Sequence, residues 1–242
     1  MSKKQSETIS KRQARKEELR QKERQQKIIV IGALVLIVIV FAAIIYVSTQ
    51  KAAGGPILSI KLREYKNAQG TALGDPNAKV KMDVFEDYQC IHCKDYTENV
   101  ETQVIAGLVD TGRVYYVFHQ YPFMDSPNAD QGSRRAALAS ECAAEQNDFW
   151  NFKAIVFANY TGVDGEFSAT RLESFAKSIK LDETQFKTCL SEEKYQAKLD
   201  EGLSLGERMG VKGTPSIFVN GVATIPSFAD ISAAVQKAEA GG

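Results

Sequence analysis

Residues 79–93 read KVKMDVFEDYQCIHC. Val80, Met82 and Val84 alternate with Lys81 and Asp83, the period of a strand, which is predicted over Lys79–Phe85. Downstream, Cys93, Tyr96, Val100, Val104 and Leu108 recur at steps of three and four, so they share one face of a helix. Gly112 ends that helix, and RVYYVFH at Arg113–His119 has the β-branched and aromatic character of a second strand. Strand, helix and strand at this spacing form a βαβ unit with parallel strands and a right-handed crossover. The Cys90-Ile91-His92-Cys93 dithiol therefore sits where the first strand gives way to the helix.

That position has a chemical consequence. Unpaired backbone N–H groups and the positive end of the helix dipole favour an anion at the first turn. The thiolate is the form that attacks a disulfide, and cysteines so placed have pKa values of roughly 3.5–7.5. His92 is expected to add a charge or hydrogen bond to the Cys90 thiolate. Stabilising the thiolate stabilises the reduced dithiol and makes the disulfide more oxidising. Cys93 falls on the buried face and Cys90 at the exposed end, one sulfur to attack and one to resolve. Zinc sites also use Cys-x-x-Cys but need two further ligands, and His119, Cys142 and Cys189 lack the spacing to supply them. No metal and no cofactor is expected.

Working outward, Gly74-Asp75-Pro76-Asn77 is a turn cluster, and a short strand is predicted at Ile57–Leu62. From about Asp130 to Met209 the character changes to helical patterns. They are expected at Ala136–Asn147, Asp148–Tyr160, Ala169–Ile179, Glu183–Leu190 and Glu193–Met209, as an insertion at about 130–209. Sheet then resumes. Pro215–Val219 reads as a strand, Asn220-Gly221 as a type I′ turn, and Val222–Ile225 as the returning strand. Ser227 is a candidate N-cap for a last helix whose apolar face carries Phe228, Ile231, Val235 and Ala238. Phe149, Trp150, Phe152, Phe157 and Tyr160 are expected to pack the core of the insertion, and His119 to be a satisfied structural histidine.

The formal net charge of zero hides an asymmetry. Residues 1–27 hold ten Lys/Arg against four Glu, so this tail is +6 and the remainder −6. From Ile28 to Val47 follow twenty residues with no charge and no proline, which at ~1.5 Å per residue span the ~30 Å hydrocarbon core of a bilayer. The basic block places the N-terminus in the cytoplasm and the following domain outside. The long basic region and the lack of a small-x-small site at Ser48–Lys51 favour an uncleaved signal anchor over a cleaved signal peptide. The tail lacks interleaved aromatics, so nucleic-acid binding is not expected. The organisation read here is a cytoplasmic tail (1–27), a transmembrane helix (28–47), a linker (48–56, with Gly54-Gly55-Pro56) and a folded domain (57–242).

FEDYQCIHC, the exported context, the helical insertion and GVKGTPSIFVNG at 210–221 together resemble the DsbA-like branch of the thioredoxin superfamily, over about Gly74 to Ala238. The resemblance implies an α/β thioredoxin fold with a helical insertion, preceded by one transmembrane helix. It implies Cys90 as nucleophile, Cys93 as resolving cysteine and His92 as the residue that tunes them. It also implies a cis peptide bond before Pro215, so that the backbone of Thr214 meets an extended substrate as an added strand. Two departures stand out. Ile91 follows the first cysteine where proline is common, and Val84 occupies the place, six residues before the nucleophile, of a buried acid in many relatives. Glu86 and Asp87 are expected to be solvated or to cap the helix, with a proton-relay role left open.

Outside the cytoplasm disulfides persist, and Cys142 and Cys189, 47 residues apart, are expected to form a structural disulfide rather than remain buried thiols. The leading functional expectation is a protein disulfide oxidoreductase, an oxidase acting on exported protein thiols and reoxidised by a membrane thiol oxidase, a partner implied by the family alone. A reductase or isomerase of the same fold, or a non-enzymatic tethered binding domain, are the alternatives.

Overall fold

The computed structural model describes residues 3–52, 55–125 and 130–241, which form two compact units. The first is one helix, α1 (Lys3–Ala52). Its stretch Arg24–Val47 contains an 18-residue window with a mean hydropathy of 3.5, is exposed throughout, and is long and apolar enough to cross a membrane. The helix runs on past Val47, so the break expected from residue 48 comes only after Ala52; Gly54 lies outside the described residues.

The second unit is built on a five-stranded sheet whose strands are, in chain order, β1 (Ala72–Leu73), β2 (Val80–Glu86), β3 (Val114–Gln120), β4 (Ser216–Val219) and β5 (Val222–Thr224), arranged β1-β3-β2-β4-β5. β2 (Val80–Glu86) lies at its centre, parallel to β3 (Val114–Gln120) from Val80 opposite Val114 to Glu86 opposite Gln120. On its other side β4 (Ser216–Val219) runs antiparallel, with Val84 opposite Ile217. β5 (Val222–Thr224) closes the hairpin through Asn220 and Gly221, whose φ angles of 46° and 80° suit a type I′ turn. A central strand is covered on both faces, which is why Asp83 and Phe85 are buried along with Val80, Met82 and Val84. Asp83 tolerates this because His119 Nε2 sits 2.7 Å and Lys81 Nζ 2.8 Å from its Oδ1. His119 is thereby satisfied, and its ring stacks on Phe85 at 4.6 Å.

The crossover between β2 and β3 is a helix, α2 (91–109), with π-helical hydrogen bonding at Tyr96–Glu101 and Ile105–Val109. Thr97 and Glu101 are buried beside the expected Cys93, Tyr96, Val104 and Leu108. Gly112, at φ 77°, ends the crossover.

Between β3 and β4 lie α3 (Gly132–Ala144), α4 (Phe149–Ala158), α5 (Ala169–Ser178), α6 (Glu183–Ser191) and α7 (Gln196–Met209). One apolar core unites them with the sheet; Phe149, Trp150, Phe152 and Phe157 are buried in it, and Tyr160 packs at its edge. Cys142 and Cys189 are joined by a disulfide that ties α3 to α6. α7 lies flat on the end of β3 because it has glycine at the contact: a Cβ on Gly202 would stand 2.5 Å from the Gln120 carbonyl oxygen. The chain ends in α8 (Phe228–Ala240), capped by Ser227, whose Oγ accepts from Asp230 N at 3.2 Å.

The edge of the sheet differs from expectation. Ile57–Leu62 forms no strand, and the antiparallel edge partner of β3 is instead β1 (Ala72–Leu73). The earlier segment is held by side chains. Asn159 accepts from Leu58 N at 2.7 Å and donates to Leu58 O at 2.9 Å, and Asn151 makes the same pair with Arg63 at 3.0 and 3.1 Å. Two amides on and just after α4 thus satisfy backbone groups that a neighbouring strand would otherwise take.

Candidate active site

β2 ends at Glu86, and a tight turn brings the chain to Cys90, whose N–H donates to the Asp87 carbonyl at 3.1 Å. Cys90 is the N-cap of α2, in extended conformation with φ −87° and ψ 116°. Across from it the Thr214-Pro215 peptide bond is cis, and Cys90 Sγ lies 3.2 Å from the Thr214 carbonyl oxygen. The fold thus brings together Cys90, Cys93, Thr214 and Pro215, more than 120 residues apart in sequence. Both thiols are free, and Cys90 is only 6% exposed, more enclosed than its place at a helix end suggested.

The two sulfurs have opposite acidities. A hydrogen bond from the Cys93 thiol lowers the Cys90 pKa to about 5, against an opposing cost of burial; Thr214 and the backbone N–H groups of Cys93 and His92 add to the stabilisation. The Thr214 hydroxyl is buried and has no hydrogen-bond partner among the described residues. Cys93, fully buried, is pushed far up, first by burial and then by its bond to Cys90 and the charge of Glu86. The site therefore holds one thiolate and one thiol near neutral pH. His92 is exposed; its backbone N–H acts on Cys90, and no hydrogen bond from its imidazole to Cys90 is seen among the described residues.

Glu86 and Asp87 are neither solvated nor helix caps: each is 1% exposed, which corrects the sequence expectation. Glu86 pairs with Lys153 at 3.0 Å and accepts from Thr97 Oγ1 at 3.1 Å. Lys153 also contacts Glu101 at 2.5 Å, and Tyr116 OH donates to Glu101 at 2.6 Å. Rings of Phe118, Trp150 and Phe157 lie 5.1–5.7 Å from the ammonium. Burial raises Glu86 to about 7 despite Lys153, with Glu101 adding repulsion. Burial would discharge Lys153, but Glu101 and Glu86 hold it protonated. Sequence reading missed Lys153 and Glu101; a lysine in the apolar run FWNFKAIVF (149–157) and a glutamate on the buried side of α2 were the available signals.

Asp87 joins three segments. Its Oδ1 accepts from Gln89 N at 2.8 Å and Ser133 Oγ at 2.5 Å, and its Oδ2 from Met124 N at 2.9 Å. Burial raises it to about 6, with these donors opposing. Among the described residues no group of three or more His, Cys, Asp or Glu is arranged to hold a metal ion.

A cysteine at a helix N-terminus, a buried second cysteine and a cis-proline beside them have the arrangement that thiol–disulfide exchange requires. The family model described as Thioredoxin matches residues 66–237. Disulfide bond formation protein D of Bacillus subtilis is 30% identical over 162 residues, covering 65% of this chain and 70% of that protein. The crystal structure of oxidised BdbD from Bacillus subtilis superposes with a TM-score of 0.62 at 25% identity, over 75% of this chain and 98% of that one. Chlamydia trachomatis DsbA, at 18% identity, shares the fold with a TM-score of 0.63 over 76% and 97%. The chain belongs to the thioredoxin family and is a DsbA-like thiol–disulfide oxidoreductase.

Proposed function

We propose that this enzyme is an oxidase that donates a disulfide to exported proteins from a domain tethered outside the cytoplasm. The observation that carries the reading is the low Cys90 pKa of about 5 beside a Cys93 thiol that resists ionisation. A stabilised thiolate favours the reduced dithiol, so the disulfide is readily given up. In the oxidised enzyme a substrate thiolate attacks Cys90 Sγ, the Cys90–Cys93 bond breaks, and Cys93 leaves with the electron pair and takes a proton. A second substrate thiolate then attacks the first substrate cysteine's sulfur in the mixed disulfide, forming the substrate disulfide and releasing Cys90 as thiolate. Two electrons have passed from substrate to dithiol, and a membrane thiol oxidase is the partner that would remove them.

Cys90 is the sulfur that exchanges with partners, attacked in the oxidised enzyme and the nucleophile in the reduced one, Cys93 is the resolving residue, and Thr214-Pro215 is the edge that receives the substrate backbone. His92 acts through its backbone N–H and its place beside the dithiol. Cys142–Cys189 braces the insertion without entering the reaction. α1 serves as a single-pass anchor with its basic end cytoplasmic, since ten Lys/Arg precede the apolar stretch.

The test is the equilibrium redox potential of the Cys90–Cys93 pair in glutathione buffers. A value of about −120 to −180 mV is expected, and one near about −270 mV would make the protein a reductase.

A further inference from the structure

Beside the dithiol lies an open groove of about 270 Å³ lined by His92, Asp95, Tyr96, Thr214, Pro215 and Pro226. Two of its walls, Thr214 and Pro215, are the edge at which a substrate strand would lie, and Thr214 O is 3.2 Å from Cys90 Sγ. A residue two positions from the substrate cysteine falls on the same face of an extended chain, about 6.6 Å away, which suits this groove. Its volume accommodates one long side chain.

The lining is acidic. Asp95 is exposed, and among the described residues that line the groove the other ionisable groups are the imidazole of His92 and the buried Tyr96. Asn99 Nδ2 donates to its Oδ1 at 2.8 Å and holds the carboxylate in place. The nearest cation in sequence, Lys94, is turned away: it binds Glu98 and donates to the Phe157 carbonyl at 2.8 Å. A second concavity, which includes Gln89 next to Cys90, has Asp130, Asp164 and Glu166 in its lining and, among the described residues, no Lys or Arg. Residues 28–242 together carry a formal charge of −6.

Resting on the oxidase reading above, we infer that the groove selects substrates by charge: exported polypeptides with a Lys or Arg side chain close to the reacting cysteine. Asp95 is the specificity-determining residue. The cation lies along Pro215 and Tyr96 with its head at the free oxygen of Asp95, while an acidic neighbour is repelled there.

The test uses the oxidised full chain in neutral detergent micelles at pH 8. The substrates are two-cysteine peptides differing only in Lys, Ala or Glu two residues from each cysteine. Each oxidation rate is divided by the same peptide's rate with glutathione disulfide, which removes the effect of the neighbour on the peptide thiol. The Lys-to-Glu ratio is expected to be on the order of tenfold at low salt. It should fall toward unity at 1 M salt, where the Debye length is about 3 Å. Asp95→Asn should cut the ratio to about twofold or less, whereas Glu183→Gln, an equal charge change on a distant exposed residue, should keep it. A ratio of one in the wild type, or a full ratio in Asp95→Asn, overturns the inference alone. Failure of every peptide to be oxidised overturns the oxidase reading and this inference with it.

Discussion

Raising the pH should stabilise the reduced enzyme relative to the oxidised one, and the slope can be worked from Cys90. Its folded pKa is about 5, well below the ordinary value of 9.0. Between those values the folded protein holds a thiolate while the unfolded chain holds a thiol, so the unfolded state binds the extra proton. Stability from this group is therefore complete above the unfolded pKa, grows as pH rises through the window, and is lost as pH falls toward 5. Each pH unit is worth about 1.4 kcal/mol. From pH 6 to pH 8 the full effect would be about 2.7 kcal/mol, and screening by the adjacent solvent reduces it to about 1.5–2.5 kcal/mol. Cys93 stays a thiol across this range and adds nothing. Glu86 and Asp87, raised by burial, favour the folded state at low pH and oppose the trend, but they are present in both redox forms and largely cancel in the difference. The assay is denaturant unfolding of the reduced and oxidised full chain in micelles, followed by the fluorescence of Trp150, the single tryptophan, buried in the core. A reduced-minus-oxidised difference that stays flat or falls between pH 6 and 8 would refute the assignment of Cys90 as a stabilised thiolate.

Three other changes test the parts that hold the site. Lys153→Met should destabilise the domain by about 3–5 kcal/mol at pH 8, because Glu86 and Glu101 lose their buried cation; the loss should shrink at pH 5, below the raised Glu86 pKa of about 7, and a pH-independent loss would speak against a charge effect. Replacing both Cys142 and Cys189 by Ser opens a loop of 47 residues and should cost about 4 kcal/mol by denaturant unfolding, with thiol–disulfide exchange at Cys90 retained. Gly202→Ala forces a Cβ against the Gln120 backbone oxygen and should cost about 1–3 kcal/mol, measured as a drop in unfolding midpoint; an unchanged midpoint would mean that α7 can lift from β3 without penalty.

The strongest local patterns were legible without coordinates. Alternation in β2, the three-and-four spacing of α2, the Asn220-Gly221 turn and the Ser227 cap are each written in a few neighbouring residues, and the structure carries them at or within a few residues of the predicted bounds. Ile57–Leu62 misled because an apolar extended segment looks the same whether a strand or a pair of asparagine side chains satisfies its backbone. Ala72–Leu73 was missed because two residues are too short to show a period. The π-helical turns of α2 likewise leave no clear mark in the residue pattern.

The sequence by itself determined the dithiol, its place at the junction of strand and helix, the apolar stretch that can cross a membrane and the helical insertion, because each depends on residues close together in the chain. Tertiary structure alone decided what surrounds the sulfurs. Glu86 looked like a loop residue until Lys153, 67 positions away, and Glu101 enclosed it. Cys90 acquired its acidity from Cys93 and from Thr214, which only the sheet brings within reach. A buried charge is stable or costly according to its partners, and those partners arrive from distant parts of the chain.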